Sequence, residues 1–98
     1  MASKKIRWTH IALIDKLDIL EFWIERNKSK VYSQKLSHLI DEAIQQIAEF
    51  PDHGKKTDIE GMRIKLLRTF LIYYLVDEEE LVIIRIWDSR RDPKKLRL

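Results

Sequence analysis

The spacing of apolar positions changes period midway along the chain. From His10 to Lys28, Leu13, Leu17, Leu20 and Ile24 follow one another at steps of four, three and four. Ile14, Ile19 and Trp23 widen that stripe, and Asp18, Glu21, Glu25 and Lys28 fall largely opposite it. This is the pattern of an amphipathic helix, and the span holds neither Gly nor Pro to interrupt it. Thr9 stands where a side-chain oxygen can cap the first free amides. After the polar break Asn27 to Ser29, with Ser29 as a cap, a second helix is expected from Lys30 to Phe50. Its stripe is Tyr32, Leu36, Leu39, Ala43 and Ile47, with Ile40 and Ile44 beside it. Pro51 ends it, because its ring clashes with the preceding turn. Two such helices joined by a short turn form an antiparallel hairpin that must cover another apolar surface.

That surface comes after Gly61, where the period falls to two. Met62–Leu67, Phe70–Val76 and Leu81–Asp88 are rich in β-branched and aromatic residues and are divided by the short turns Arg68-Thr69 and Asp77 to Glu80. A further short strand is expected at Lys5 to Thr9, where Ile6 and Trp8 flank Arg7. The predicted fold is α+β in the order β-α-α-β-β-β. A helical hairpin packs on one face of a four-stranded, mainly antiparallel sheet whose edge takes the first strand. In the last strand Val82, Ile84 and Ile86 are expected on one face and Leu81, Ile83, Arg85 and Trp87 on the other. The face turned from the helices is expected to carry the cations Arg63, Lys65 and Arg85 among Leu71, Tyr73, Leu75 and Trp87. The middle strand is apolar on both sides, and a helix pair covers only one. The uncovered strip Leu71, Tyr73 and Leu75 therefore reads as a protein-binding surface, for a partner segment or a homodimer.

Composition narrows the function classes. Ninety-eight residues suit one domain, 1–98, and 36% of them are charged, with a formal net charge of +3. The surplus is local: Arg90 to Leu98 holds five cations against Asp92 alone, which suits an anionic partner. There is no cysteine, hence no disulfide framework and no thiolate metal site. The start MASKKIRWTH has cations without an apolar segment behind them, so a cytoplasmic location is expected, and no run is long enough to span a bilayer. His10, His38 and His53 lie in three different elements without metal-ligand spacing, and no phosphate-binding glycine loop is present. No metal and no cofactor are expected. The cations remain: guanidinium groups grip phosphate in a fork and stabilise charge on a phosphoryl oxygen, and Trp87 and Tyr73 offer faces for base stacking.

Several segments, in order and spacing, resemble the RelE/ParE superfamily of toxins from bacterial type II toxin–antitoxin (plasmid-stabilisation) systems. They are the opening strand with Trp8, Ile47-Ala48-Glu49-Phe50-Pro51 followed by His53-Gly54, Gly61-Met62-Arg63, Tyr73-Tyr74-Leu75-Val76, and Ile84-Arg85-Ile86-Trp87-Asp88-Ser89-Arg90-Arg91-Asp92-Pro93. The resemblance implies a microbial-RNase-like fold and a cognate antitoxin that wraps the toxin. Its RelE-like branch implies ribosome-dependent messenger RNA cleavage, an endoribonuclease activity. Arg63, Lys65 and Arg91 would then act on the phosphate, with Lys55, Lys56, Arg85, Trp87 and Arg90 contacting nucleic acid and Leu71, Tyr73 and Leu75 the antitoxin. Its ParE-like branch implies a poison of DNA gyrase without nuclease chemistry, and an inert homologue would bind antitoxin alone. The chain departs from RelE-like enzymes at Leu71, where they carry arginine, and at Lys94-Lys95-Leu96, where they place a tyrosine.

Overall fold

The computed structural model describes residues 3–96 and 98. The elements are β1 (Lys5–Trp8), α1 (His10–Asn27), α2 (Val31–Glu49), β2 (Lys55–Lys56), β3 (Met62–Leu67), β4 (Phe70–Val76) and β5 (Glu80–Asp88). Short 3₁₀ turns cover Pro51–His53 and Pro93–Lys95. The two helices lie on one face of a five-stranded sheet in the order β1-β5-β4-β3-β2, with β1 parallel to β5 and the other neighbours antiparallel. The sheet thus has one strand more than expected. Lys55 and Lys56 extend the edge by pairing with Ile64 and Arg63.

Local chemistry sets the boundaries. The Thr9 hydroxyl accepts from the Ala12 amide at 3.2 Å and donates to the Ile83 carbonyl at 2.9 Å, so it caps α1 and ties it to β5. Lys28 adopts a left-handed conformation at φ 52° to end α1, and the Ser29 hydroxyl receives the Val31 amide at the start of α2. In the α1–α2 hairpin Ser33 is buried and donates its hydroxyl to the Leu20 carbonyl. Leu36, Ile40, Ala43, Ile44 and Ile47 of α2 form the core with Phe70, Ile72 and Tyr74 of β4 and Leu81, Ile83 and Ile86 of β5.

Three expectations about faces are corrected. First, α1 turns Ala12, Asp15, Ile19 and Trp23 inward, whereas Leu13 and Leu17 are 44% and 63% exposed. Second, the register of β3 on β4 sets Arg63 opposite Tyr74 and Lys65 opposite Ile72. Partners across a ladder share a face. Arg63 and Lys65 therefore lie on the helix side, away from Leu71, Tyr73 and Leu75. The physical reason is the two-residue turn Arg68-Thr69, with Arg68 at φ 55°, which fixes Leu67 opposite Phe70 and every pair after it. Third, a bulge interrupts β5: Tyr73 pairs with Arg85 but Tyr74 pairs with Ile83, leaving Ile84 as the extra residue. Leu81, Ile83 and Ile86 consequently face the helices, and Val82, Arg85 and Trp87 face away.

Candidate functional site

The nominated cations do not converge. Arg63 reaches down the helix side to the turn after α2. Its Nη1 donates to the carbonyls of Gly54 (2.8 Å) and Asp52 (3.2 Å), and its Nη2 lies 3.4 Å from the Asp52 carboxylate. Tyr74 holds the same turn from within the core, accepting from the Gly54 amide at 3.0 Å and donating to the Pro51 carbonyl at 2.7 Å. Arg63 and Tyr74 together clamp residues 51–54 and so set up the Lys55–Lys56 edge strand, where both lysines are exposed.

Burial holds the Tyr74 phenol above its ordinary value of 10.0, against the opposing pull of the Gly54 amide and Arg63. A phenol with a raised folded value stabilises the fold fully below about pH 10, and that contribution is lost as pH rises through the folded value. Tyr74→Phe should cost about 1–3 kcal/mol at neutral pH, by leaving the Gly54 amide and Pro51 carbonyl without their partner. It should also flatten the loss of stability above about pH 10. Urea denaturation of both proteins at neutral and alkaline pH measures the two effects.

On the other side, beyond the end of β1, the edge of β5 is closed by a helix. The Asp15 carboxylate of α1 accepts a fork from Arg85, Nε at 2.7 Å and Nη2 at 3.0 Å, and also takes the Ile86 amide at 3.0 Å. Both side chains are about nine-tenths buried. The carboxylate holds the Arg85 guanidinium above its usual range. Trp87 lies between two guanidinium groups, Arg85 at 5.4 Å and Arg91 at 4.1 Å from its ring centre, and is only 3% exposed. Its indole Nε1 is buried without a partner among the described residues. Arg85 and Trp87, expected as nucleic-acid contacts, are therefore interior groups. Arg90 is exposed and forks onto Asp88, whose carboxyl it draws below the usual range. Arg91 borders a cleft of about 330 Å³ between α1 and the end of the sheet, floored by Ile19, Phe22, Trp23 and Phe70.

The outer sheet face is left with Ile64, Leu66, Leu71, Tyr73 and Leu75. All but the exposed Leu66 are half-buried, an apolar strip where the two-sided character of β4 predicts one. Asp15 and Gly54 are the site-shaping residues that the sequence reading missed. A carboxylate on the inward side of a helix was the available signal for the first. A glycine directly after a helix-ending turn was the signal for the second.

The family model for the ParE toxin of the type II toxin–antitoxin system, parDE, matches residues 6–93. The chain belongs to the ParE toxin family. It is accordingly the toxin of a type II pair, and a cognate antitoxin is its partner. A solved structure described as the chromosomal ParDE TA system from P. aeruginosa shares the fold. It matches with a TM-score of 0.74 at 20% identity and covers 86% of this chain and 94% of that one. No curated protein matches. The ParE match runs from within β1 to the start of the turn after β5 and includes both helices and strands β2 to β5 in full. No helix among the described residues of this ParE-family toxin is long and apolar enough to cross a membrane.

Proposed function

We propose that this toxin arrests growth by binding DNA gyrase, the activity that its ParE-like character implies, and that it does not cleave messenger RNA. One observation carries the reading: Arg63 and Arg85 point to opposite sides of the sheet, each engaged by the chain's own oxygens. Cleavage of a phosphodiester needs donors gathered around one developing charge. Here Arg63 and Lys65 stand on the helix side, Arg91 stands beside Trp87, and position 71 offers a leucine in place of a guanidinium.

In this reading the strip Leu71, Tyr73 and Leu75 takes the antitoxin segment, since a contiguous apolar strip on an uncovered sheet face suits a protein partner. Lys55, Lys56, Arg90 and Arg91 are the cations from the original set that remain exposed. They are spread over the sheet edge and the turn after β5, which suits a protein or DNA–protein target better than one bound phosphate.

The test is purified toxin with gyrase, ATP and relaxed plasmid, run beside a ribosome-bound message. Loss of supercoiling or accumulation of cleaved plasmid, with the message intact, is the expected result. A cut message with gyrase unaffected would reverse the proposal in favour of RelE-like cleavage. Inertness in both assays, with antitoxin still bound, would mark an inactive homologue.

A further inference from the structure

The register of β4 on β5 brings together cations that lie far apart in the sequence. Phe70 stands opposite Asp88, and the pairing continues past both strands, where the Ser89 amide donates to the Thr69 carbonyl at 2.8 Å. Arg68, in the turn between β3 and β4, therefore lies at the same end of the sheet as the segment after β5. That segment supplies Arg90, Arg91, Lys94 and Lys95, and all five cations are exposed. Three carboxylates stand near them: Asp88, Asp92 and, on the α1 side of the cleft that Arg91 borders, Asp18. The local surplus is positive. Two of the cations are also held in place, Arg91 over the Trp87 ring and Arg90 forked onto Asp88. Side chains fixed in this way lose less freedom on meeting an anion than loose ones do.

We propose that this end of the sheet grips the phosphate backbone of duplex DNA. The inference deepens the gyrase reading and rests on it for its purpose: gyrase holds a duplex, and a toxin seated on the enzyme meets that duplex through these cations. Two observations favour DNA over an acidic protein. Thr69 and Ser89, both exposed, stand between Arg68 and Arg90, and hydroxyls beside guanidinium groups are the ordinary donors to phosphate. Among the described residues, 68–69 and 88–95 expose no large apolar side chain of the kind that anchors a protein interface. A third observation favours a duplex over a single strand. Trp87, the ring beneath Arg91, is sealed in the interior and offers no face to an unpaired base, whereas single-stranded nucleic acid is held largely by such stacking. What remains is a sequence-independent grip on the backbone, whose strength is set by the counterions it releases.

Fluorescence anisotropy of a labelled duplex with the full chain, refolded after separation from its co-expressed antitoxin, tests this from about 20 mM to about 200 mM salt. Binding is expected with a Kd of about 1–100 µM, and log K should fall against log salt with a slope of about −3, for three to four phosphates. Arg68→Asn combined with Lys95→Ala should weaken binding at least about tenfold at low salt and reduce the slope by about 2. Asparagine is chosen because it tolerates the left-handed backbone of Arg68. Lys30→Ala combined with Lys35→Ala removes the same charge from the exposed side of the helical hairpin and should leave the slope in place. Circular dichroism checks that both variants fold. Absence of binding at low salt overturns the proposal, and so does equal weakening by the two double variants, because net charge alone then accounts for it. Binding of single-stranded RNA as tight as that of the duplex overturns the choice of ligand. If the Arg68 and Lys95 variant binds DNA normally but loses its hold on gyrase free of DNA, the patch is a protein contact and the proposal fails. Supercoiling inhibition is read separately: a toxin that inhibits gyrase without binding DNA sinks this inference alone, and one that binds DNA without inhibiting gyrase sinks the gyrase reading alone.

Discussion

Replacing Asp15 with Ala should lower the free energy of unfolding by about 3–5 kcal/mol, the cost of removing the carboxylate from a buried ion pair. Two losses combine. The Arg85 guanidinium keeps its desolvation without its carboxylate, and the Ile86 amide at the sheet edge loses its acceptor. A domain of this size has about 5–15 kcal/mol in total, so the variant sits near the threshold of folding. Urea titration should show its midpoint shifted strongly downward at a similar slope. Arg85→Lys should also be damaging, because an ammonium cannot make the paired contact with both carboxylate oxygens. Asp15→Leu with Arg85→Met should recover part of the loss, since an apolar pair leaves no charge stranded.

Gly54→Ala is the second large effect, about 3 kcal/mol or more, from overpacking combined with lost hydrogen bonds. Gly54 has an ordinary φ of −72°, so strain in its own backbone is not the cause. The cause is proximity: a Cβ there would meet the Tyr74 ring carbons at 2.8 Å and its hydroxyl closer still. Tyr74 is fully buried among the helices and cannot swing aside. The added methyl must either push the ring into the core or push the turn away from Arg63 and Tyr74. Thermal unfolding should fall well below that of the parent. The Lys55–Lys56 strand should also lose amide-exchange protection ahead of the rest of the sheet.

The helices and the three long strands were legible because their periods of 3.6 and 2 are unambiguous, and Gly61, Pro51 and the acidic turn punctuate them. What was hidden has separate causes. Lys55 and Lys56 carry no β signal of their own and become a strand only because Arg63 and Tyr74 hold the preceding turn against β3. The bulge at Ile84 swaps the faces of β5 without any glycine to announce it. The facing of Arg63 and Lys65 was in fact readable, since a two-residue turn after Leu67 fixes which residues oppose β4. For α1 the pattern offered two stripes. The more apolar one stays outside, because the inner one contains Asp15, whose partner stands 70 positions away. Alternation within one strand was not enough to assemble the candidate site, because the faces depended on turn geometry and on that distant pair.

The parallel strand β1 and the Asp15 carboxylate both wait for β5, the last strand to be made. A nascent chain that has displayed both helices lacks the strand that joins β1 to the rest of its sheet until residue 88 clears the ribosome. At typical synthesis rates, 70 residues separate Asp15 from Arg85 by roughly 4–14 s. Through that interval the polypeptide is an unfinished platform, and any message truncated before the final strand yields a product unable to assemble into a poison.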